Sequence, residues 1–384
     1  MILRIGIFYI LLSIIPTLLL WIALPTEKRR WWMCLPAIVL ATGTLLLFLA
    51  AGYVVYKPGV WRIRLLSVTF IYNAPLALYA TTLLLGKCFK GYVRRFFSFL
   101  SWTISLLLLG LIVYGFTYGT SRIKRTDILI ADEQIPAAFD GYKIAVVSDL
   151  HVGTYYADTA AIAKKVAAVN AVQPDLICFL GDIVNFSDEE LDKFLPTLSQ
   201  LQAKDGVVSV MGNHDYLYYY PQPDSTDTQR RIHRLEQMER QMGWQLLLNE
   251  NTVIHRGADS IAIIGAENES KPPHPHRANL HKAMQGISPA AYRILLTHDP
   301  THWHRAITGK TSIPLTFSGH THGMQMALPG GWSPAALIFK EWSGLYTAGN
   351  QRLCVTTGLG ESLMPFRLGL PPEVVCVTLR HVSR

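Results

Sequence analysis

Lys143-Ile-Ala-Val-Val-Ser-Asp149-Leu-His151 decides the fold. A short apolar run that stops on a carboxylate and an imidazole reads as a buried strand with chemistry at its carboxyl end. The arrangement recurs twice. Asp175-Leu-Ile-Cys-Phe-Leu180 ends at Gly181-Asp182, and Gly206-Val-Val-Ser-Val-Met211 ends at Gly212-Asn213-His214-Asp215. Residues 157–172 between the first two runs have helical spacing, closed by Asn170 and Pro174. Residues 191–201 read as a second helix. Strand, helix, strand, helix, strand is an α/β pattern, and such sheets bind ligands at the carboxyl ends of their strands.

Shorter strand-like runs follow: Ser260-Ile-Ala-Ile-Ile264, Arg293-Ile-Leu-Leu296, Leu315-Thr-Phe317 and Leu353-Cys-Val-Thr356, then a closing Glu373-Val-Val-Cys-Val-Thr-Leu379. Leu-Thr-His298-Asp-Pro and Gly319-His320-Thr-His322-Gly323 follow two of them. The expectation is a two-sheet α/β sandwich with a metal site along one edge, in a segment long enough to bury a full core.

The five segments together offer Asp149, Asp182, Asn213 and the imidazoles of His151, His214, His298, His320 and His322. A two-metal centre needs one ligand that bridges and terminal ligands for each ion. A carboxylate suits the bridge, and imidazole with carboxylate suits Mn, Fe and Zn. Cysteine is absent from the segments, which argues against a structural zinc site. Each residue alone has a plainer reading, such as a helix cap for an Asp or a left-handed turn for Asn213. The ordered series outweighs them.

That series resembles the calcineurin-like metallophosphoesterases, over about residues 141–379. The resemblance implies a four-layer α/β/β/α fold. It implies that Asp149, His151 and His322 bind one divalent ion, that Asp182 bridges, and that Asn213, His298 and His320 bind a second. It further implies that His214 stays free and protonates or steadies a leaving oxygen while a hydroxide between the metals attacks phosphorus. Asp215 would orient His214 or a backbone turn. Phe139-Asp-Gly-Tyr-Lys143, Gln325, Gly358-Leu-Gly-Glu361 and the stretch from Pro365 to Glu373 are similar to the YkuE/YaeI-like phosphodiesterases, with Met324 where a second glycine is usual. Arg367 lies in a loop that falls near the site in relatives and is a candidate phosphate contact.

The first third of the chain is of another kind. Residues 1–125 hold 14 Lys and Arg, one acid (Glu27) and no His, a charge of +13 against −5 for the rest. The basic excess lies between apolar runs, as in membrane proteins, and does not indicate nucleic acid. Runs at 5–24, 31–55, 65–85 and 98–118 are each long enough to span a bilayer, which takes roughly 20 residues. They carry no Asp, Glu or His, which favours an anchor over a transporter. A cleaved signal peptide is the competing reading of the first run, but no small-x-small site precedes Lys28 and three more runs follow. The expected division is a four-helix transmembrane anchor at 1–122 and a catalytic domain at 123–384, multi-pass in a bacterial inner membrane. Lys and Arg are balanced across the connections, so the side of the catalytic domain is undetermined. Five cysteines, none in a CxxC pair, imply no disulfide framework.

The functional expectation is a phosphodiesterase or pyrophosphate hydrolase on an amphiphilic or nucleotide-linked substrate, with two divalent ions, manganese first among Mn, Fe and Zn. Membrane lipids and a phosphoester, lipid-linked in one version, are the expected partners. A phosphomonoesterase is the enzymatic alternative, and a metal-binding membrane scaffold or sensor the non-enzymatic one. Residues 216–234, with Tyr218-Tyr-Tyr220 and Arg230-Arg-Ile-His-Arg234, are the expected lid. His302 and His304 read as structural, and His233, His255, His274 and His276 as unpatterned or solvated.

Overall fold

The computed structural model describes residues 14–24, 26, 60–219, 225–270 and 276–383. It divides into two compact units, the second beginning at Gly119.

In the first unit the described residues form an apolar helix α1 (Ile14–Ala23), α2 (Val60–Gly86) and α3 (Gly91–Ser121). The apolar part of α2, Ser67–Gly86, spans 20 residues and α3 spans 31, so both are long and apolar enough to cross a membrane. The expected run at 31–55 lies outside the described residues, as does the first part of the run at 5–24.

The second unit is built on two sheets. The first comprises β1 (Lys124–Asp132), β2 (Lys143–Val147), β3 (Leu176–Phe179), β4 (Val207–Ser209), β5 (Gln245–Leu246) and β12 (Glu373–His381), in the order β1-β12-β2-β3-β4-β5. Strands β2 to β5 run parallel, β12 is antiparallel to β2, and β1 is parallel to β12. The second holds β6 (Glu250–Arg256), β7 (Asp259–Gly265), β8 (Tyr292–Leu296), β9 (Leu315–Ser318), β10 (Gly344–Ala348) and β11 (Gln351–Val355), in the order β10-β11-β9-β8-β7-β6.

Strand alternation produces the layers. Ile144 and Val146 of β2, and Leu176 and Cys178 of β3, point between the sheets, where they meet Ile261, Ile263, Ile294, Leu296 and Phe317. Their neighbours Ala145, Val147, Ile177 and Phe179 point the other way, onto helices α4 (Thr159–Asn170) and α5 (Ser225–Gln241) through Ile162, Val166, Ile232 and Leu235. Leu295, Leu353 and Val355 face a third cluster with Trp303 and Ile307 on the outside of the second sheet. Three apolar interfaces make four layers. Each fully buried aliphatic side chain favours the fold by about 1.5–3 kcal/mol.

One expected element is corrected. Residues 191–201 are not one helix but a 3-10 turn, Asp188–Leu191, and a single α-turn, Leu195–Leu198. Pro196 has no N–H to give to a preceding turn, so it fits only the first turn of a new helix.

Candidate metal centre

Each candidate ligand sits just past the carboxyl end of a strand. Asp149 and His151 follow β2, Asp182 follows β3 and Asn213 follows β4; His298 follows β8, and His320 and His322 follow β9. The first four come from one sheet and the last three from the other. Asp149, His151, Asp182, His320 and His322 have φ between 48° and 73°, the left-handed region. Non-glycine residues held there cost of order 1–3 kcal/mol each, and such strain gathers at functional sites. Two glycines admit this crowding: a Cβ on Gly212 would stand 2.2 Å from Asp182 Oδ1, and one on Gly319 would stand 2.4 Å from Asp149 Oδ2.

The side chains converge in two groups. In the first, His151 Nε2 lies 3.0 Å from His322 Nε2, and His322 Nε2 lies 3.4 Å from Asp149 Oδ1. In the second, His298 Nε2 is 3.1 Å from Asp182 Oδ2 and 3.2 Å from His320 Nδ1. Asp182 Oδ2 is also 3.7 Å from His151 Nε2, so one carboxylate reaches both groups. Asn213 Oδ1 is buried with no hydrogen-bond partner among the described residues.

Backbone carbonyls set the tautomers. Nδ1 of His151 faces Val184 O at 3.1 Å and Nδ1 of His298 faces Leu180 O at 2.7 Å, which directs each Nε2 into the site. Burial pushes His151 and His322 well below the ordinary imidazole range, so both are neutral donors. Burial also opposes charge on His298, but the Asp182 carboxylate outweighs it and holds that imidazolium up to about 10. Asp182 itself is held well below the carboxylate range: burial would raise it, and His298, His214 and His151 prevail. Imidazole nitrogens, once His298 gives up its proton, with a shared carboxylate and an amide oxygen form the donor set that divalent first-row cations take.

His214 is half-buried, with Nδ1 2.6 Å from Asn185 O and its ring 4.7 Å from that of His151. It comes close enough to His151 and Asp182 for the three to hold an ion together. Tyr219 lies with its ring 4.4 Å from the His214 ring and accepts from Asn213 Nδ2 at 3.4 Å. Of the two roles expected for Asp215, the contacts match the turn: its carboxylate accepts from the backbone N–H of Asp182, Ile183, Val184 and Gly212. Burial, then Asp182, pushes its carboxyl up to about 7 against those donors.

Arg367 is corrected. It is wholly buried, donates to the carbonyls of Thr357, Gly358, Gly360 and Leu370, and pairs with Glu361 at 3.5 Å, so it locks a loop and offers nothing to a phosphate. His302 is buried against Thr297 Oγ1, and His304 meets Glu341. In the lid segment, Arg231 and Arg234 pair with Asp188, and residues 220–224 lie outside the described residues. The carbonyls of Leu180, Val184 and Asn185 were illegible in sequence, because a backbone acceptor carries no residue signature.

Residues 142–324 match the calcineurin-like phosphoesterase family model. The stretch contains all the converging ligands. Over these residues the chain is similar to that family. Among its relatives, the uncharacterized metallophosphoesterase YkuE of Bacillus subtilis is 28% identical over 319 residues, covering 77% of this chain and 100% of that one. A transmembrane protein with metallophosphoesterase domain from Danio rerio is 26% identical over 74% of this chain and 64% of its own length. One of the same description from Bos taurus is 29% identical over 66% and 56%. This chain therefore spans less than two thirds of the two vertebrate proteins. The match to that family and the clustered ligands point to divalent metal ions.

Proposed function

We propose that this chain is a membrane-anchored, two-metal phosphodiesterase or pyrophosphate hydrolase acting on an amphiphilic or nucleotide-linked substrate. The observation that carries the reading is Asp182 Oδ2, within 3.7 Å of His151 Nε2 and 3.1 Å of His298 Nε2, one carboxylate shared by two groups. Asp149, His151 and His322 would hold one ion, and Asn213, His298 and His320 the other, with Asp182 between. Manganese is the first choice, then iron or zinc. When bound, such a pair polarises a phosphoryl oxygen and lowers the pKa of water enough to make a nucleophile at neutral pH.

The chain's own residues do the rest. Asp215 gathers the backbone of residues 182–184 and 212, fixing Asp182 against the Asn213-His214 turn. His214 is oriented by the Asn185 carbonyl, which accepts from Nδ1 and leaves Nε2 to pass its proton, when the ring is in the imidazolium form, to the departing oxygen. Tyr219 limits the rotation of that ring by packing on it. The helices α2 and α3 support the anchoring, as an extension of the division at 1–122 and 123–384, and an active site tethered to a bilayer suits a substrate with a lipid part.

The test uses the full chain in detergent with Mn²⁺ and bis-p-nitrophenyl phosphate. Turnover abolished by chelation, and by His214→Ala, supports the reading. Two bound metals with no turnover on any diester or monoester would replace it with a membrane scaffold or sensor.

A further inference from the structure

Topology brings the chain into its catalytic unit at the metal-bearing edge. Strand β1 is parallel to β12, and β12 is antiparallel to β2, so β1 begins where β2 ends. Lys124 is in register with Glu373, Glu373 N donates to Gly358 O, and a Cβ on Gly358 would stand 2.8 Å from Asp149 Cβ. Two residues, Arg122 and Ile123, join the end of the membrane-length helix α3 to Lys124. The entry point is therefore held within about 11 Å of that helix end by covalent geometry alone.

The same edge carries an apolar rim. It is the segment that leaves His322 and returns to β10, residues 324–343. Its inner side is fixed to the metal loop: Thr321 Oγ1 donates to Trp342 O, Ser333 Oγ donates to Gly323 O, and the Phe339 ring lies 5.6 Å from that of His320. Its outer side exposes Met324, Leu328, Trp332, Leu337 and Ile338, with Leu337 78% and Ile338 66% open to solvent. Only two charges occur in it: Glu341 is buried on His304, and Lys340 is exposed. Aliphatic and indole side chains with a flanking lysine and no exposed acid have the composition of a segment seated at a bilayer interface. Exposed large apolar side chains gathered in one segment mark a contact surface.

We propose that the rim of residues 328–340 rests in the headgroup and upper acyl region of the membrane that holds α3, so that the metal centre opens onto the lipid surface. The inference rests on the membrane-anchored reading above and sharpens it: the substrate's phosphorus would reach the metals from a lipid whose chains stay in the bilayer. The two-residue tether that enters at the metal edge favours a bilayer over a protein partner.

The experiment uses the full chain with Cys34 and Cys88 replaced by Ser, carrying Leu337→Cys or, as a second position, Ile338→Cys, labelled with an environment-sensitive dye. Lys310→Cys is the reference. In vesicles of phosphatidylethanolamine and phosphatidylglycerol, the dye at 337 and at 338 should shift to the blue and be quenched by nitroxide-bearing phospholipid, while that at 310 should do neither. Equal accessibility at 310, 337 and 338 would overturn the proposal, as would a blue shift without lipid quenching, which would mean protein contact. In the same chain, Leu337→Ser with Ile338→Ser should keep turnover of soluble bis-p-nitrophenyl phosphate within about twofold and lower that of vesicle-borne phosphatidyl-p-nitrophenol by about tenfold. Lipid quenching with no hydrolysis of either ester would leave the docking intact and sink the phosphodiesterase reading instead.

Discussion

The two ligand groups around Asp182 differ in what occupies them in the protein alone. Asp149, His151 and His322 form a group whose imidazoles burial keeps neutral. Asp182, His298 and His320 form a group in which His298 keeps a proton, as the partner of Asp182. The first is a set of open lone pairs; the second is an ion pair that a cation must displace. Each group also draws on both sheets: His322 of the second joins Asp149 and His151 of the first, and His298 and His320 of the second join Asp182 of the first. Cation binding would therefore clamp the edge of the sandwich, and Asp182 is the side chain that lies within reach of both groups.

The strongest way to break this comparison is Asp182→Asn. Loss of the shared carboxylate should lower bound metal from two ions to one or none and reduce diester turnover by about a thousandfold or more, by metal analysis alongside kinetics. If two ions remain, the groups are independent and the comparison fails. His214→Ala sharpens it from the other side. If the residue assists the leaving oxygen as proposed, turnover should fall by about a hundredfold to ten-thousandfold with metal content unchanged. A parallel loss of one ion would make His214 a ligand of the first group, to which its nearness to His151 and Asp182 also answers.

Asp215→Asn should act mainly through structure. Four backbone N–H groups lose their charged acceptor, which should lower stability by about 1–3 kcal/mol, read as a melting shift, with a smaller change in turnover. Loss of activity with unchanged melting would return Asp215 to a direct role on His214.

The smallest expected effect lies behind the second group. Glu239 of α5 is buried on Ser209, and burial, with Asp215 adding to it, pushes its carboxyl from 4.5 up to about 8. The folded chain then binds a proton that the unfolded chain has released between those values, so stability falls as pH rises through that window. Glu239→Gln should flatten this decline and add on the order of 2 kcal/mol at pH 8, measured by denaturant unfolding from pH 5 to pH 8. An unchanged slope would show that Glu239 is ionised in the fold.

Much of the architecture was legible because buried strands announce themselves. Strands β2, β3, β8 and β9 are continuous apolar runs, buried on both faces, that stop on a polar residue. Strands β1, β5, β6 and β10 were not anticipated. β1, β5, β6 and β10 are sheet edges or next to them in the chain, and β1, β6 and β10 alternate half-exposed residues with polar ones, as in Lys124-Arg-Thr-Asp127 and Glu250-Asn-Thr252. An edge strand needs only one apolar face, so its pattern is weak. The ligands were legible because imidazole and carboxylate after a strand have few cheap structural uses in series. Arg367 and Asp215 were less so: a charged residue that serves backbone carbonyls or N–H groups looks, in sequence, like one that serves a substrate.

The central claim is a pair of cations sharing Asp182, and anomalous diffraction from crystals of the manganese-loaded protein tests it most directly. The account predicts two peaks flanking the Asp182 carboxylate, one against His151 and His322 and one against His298 and His320. A single peak, or none, with all seven side chains ordered would contradict it.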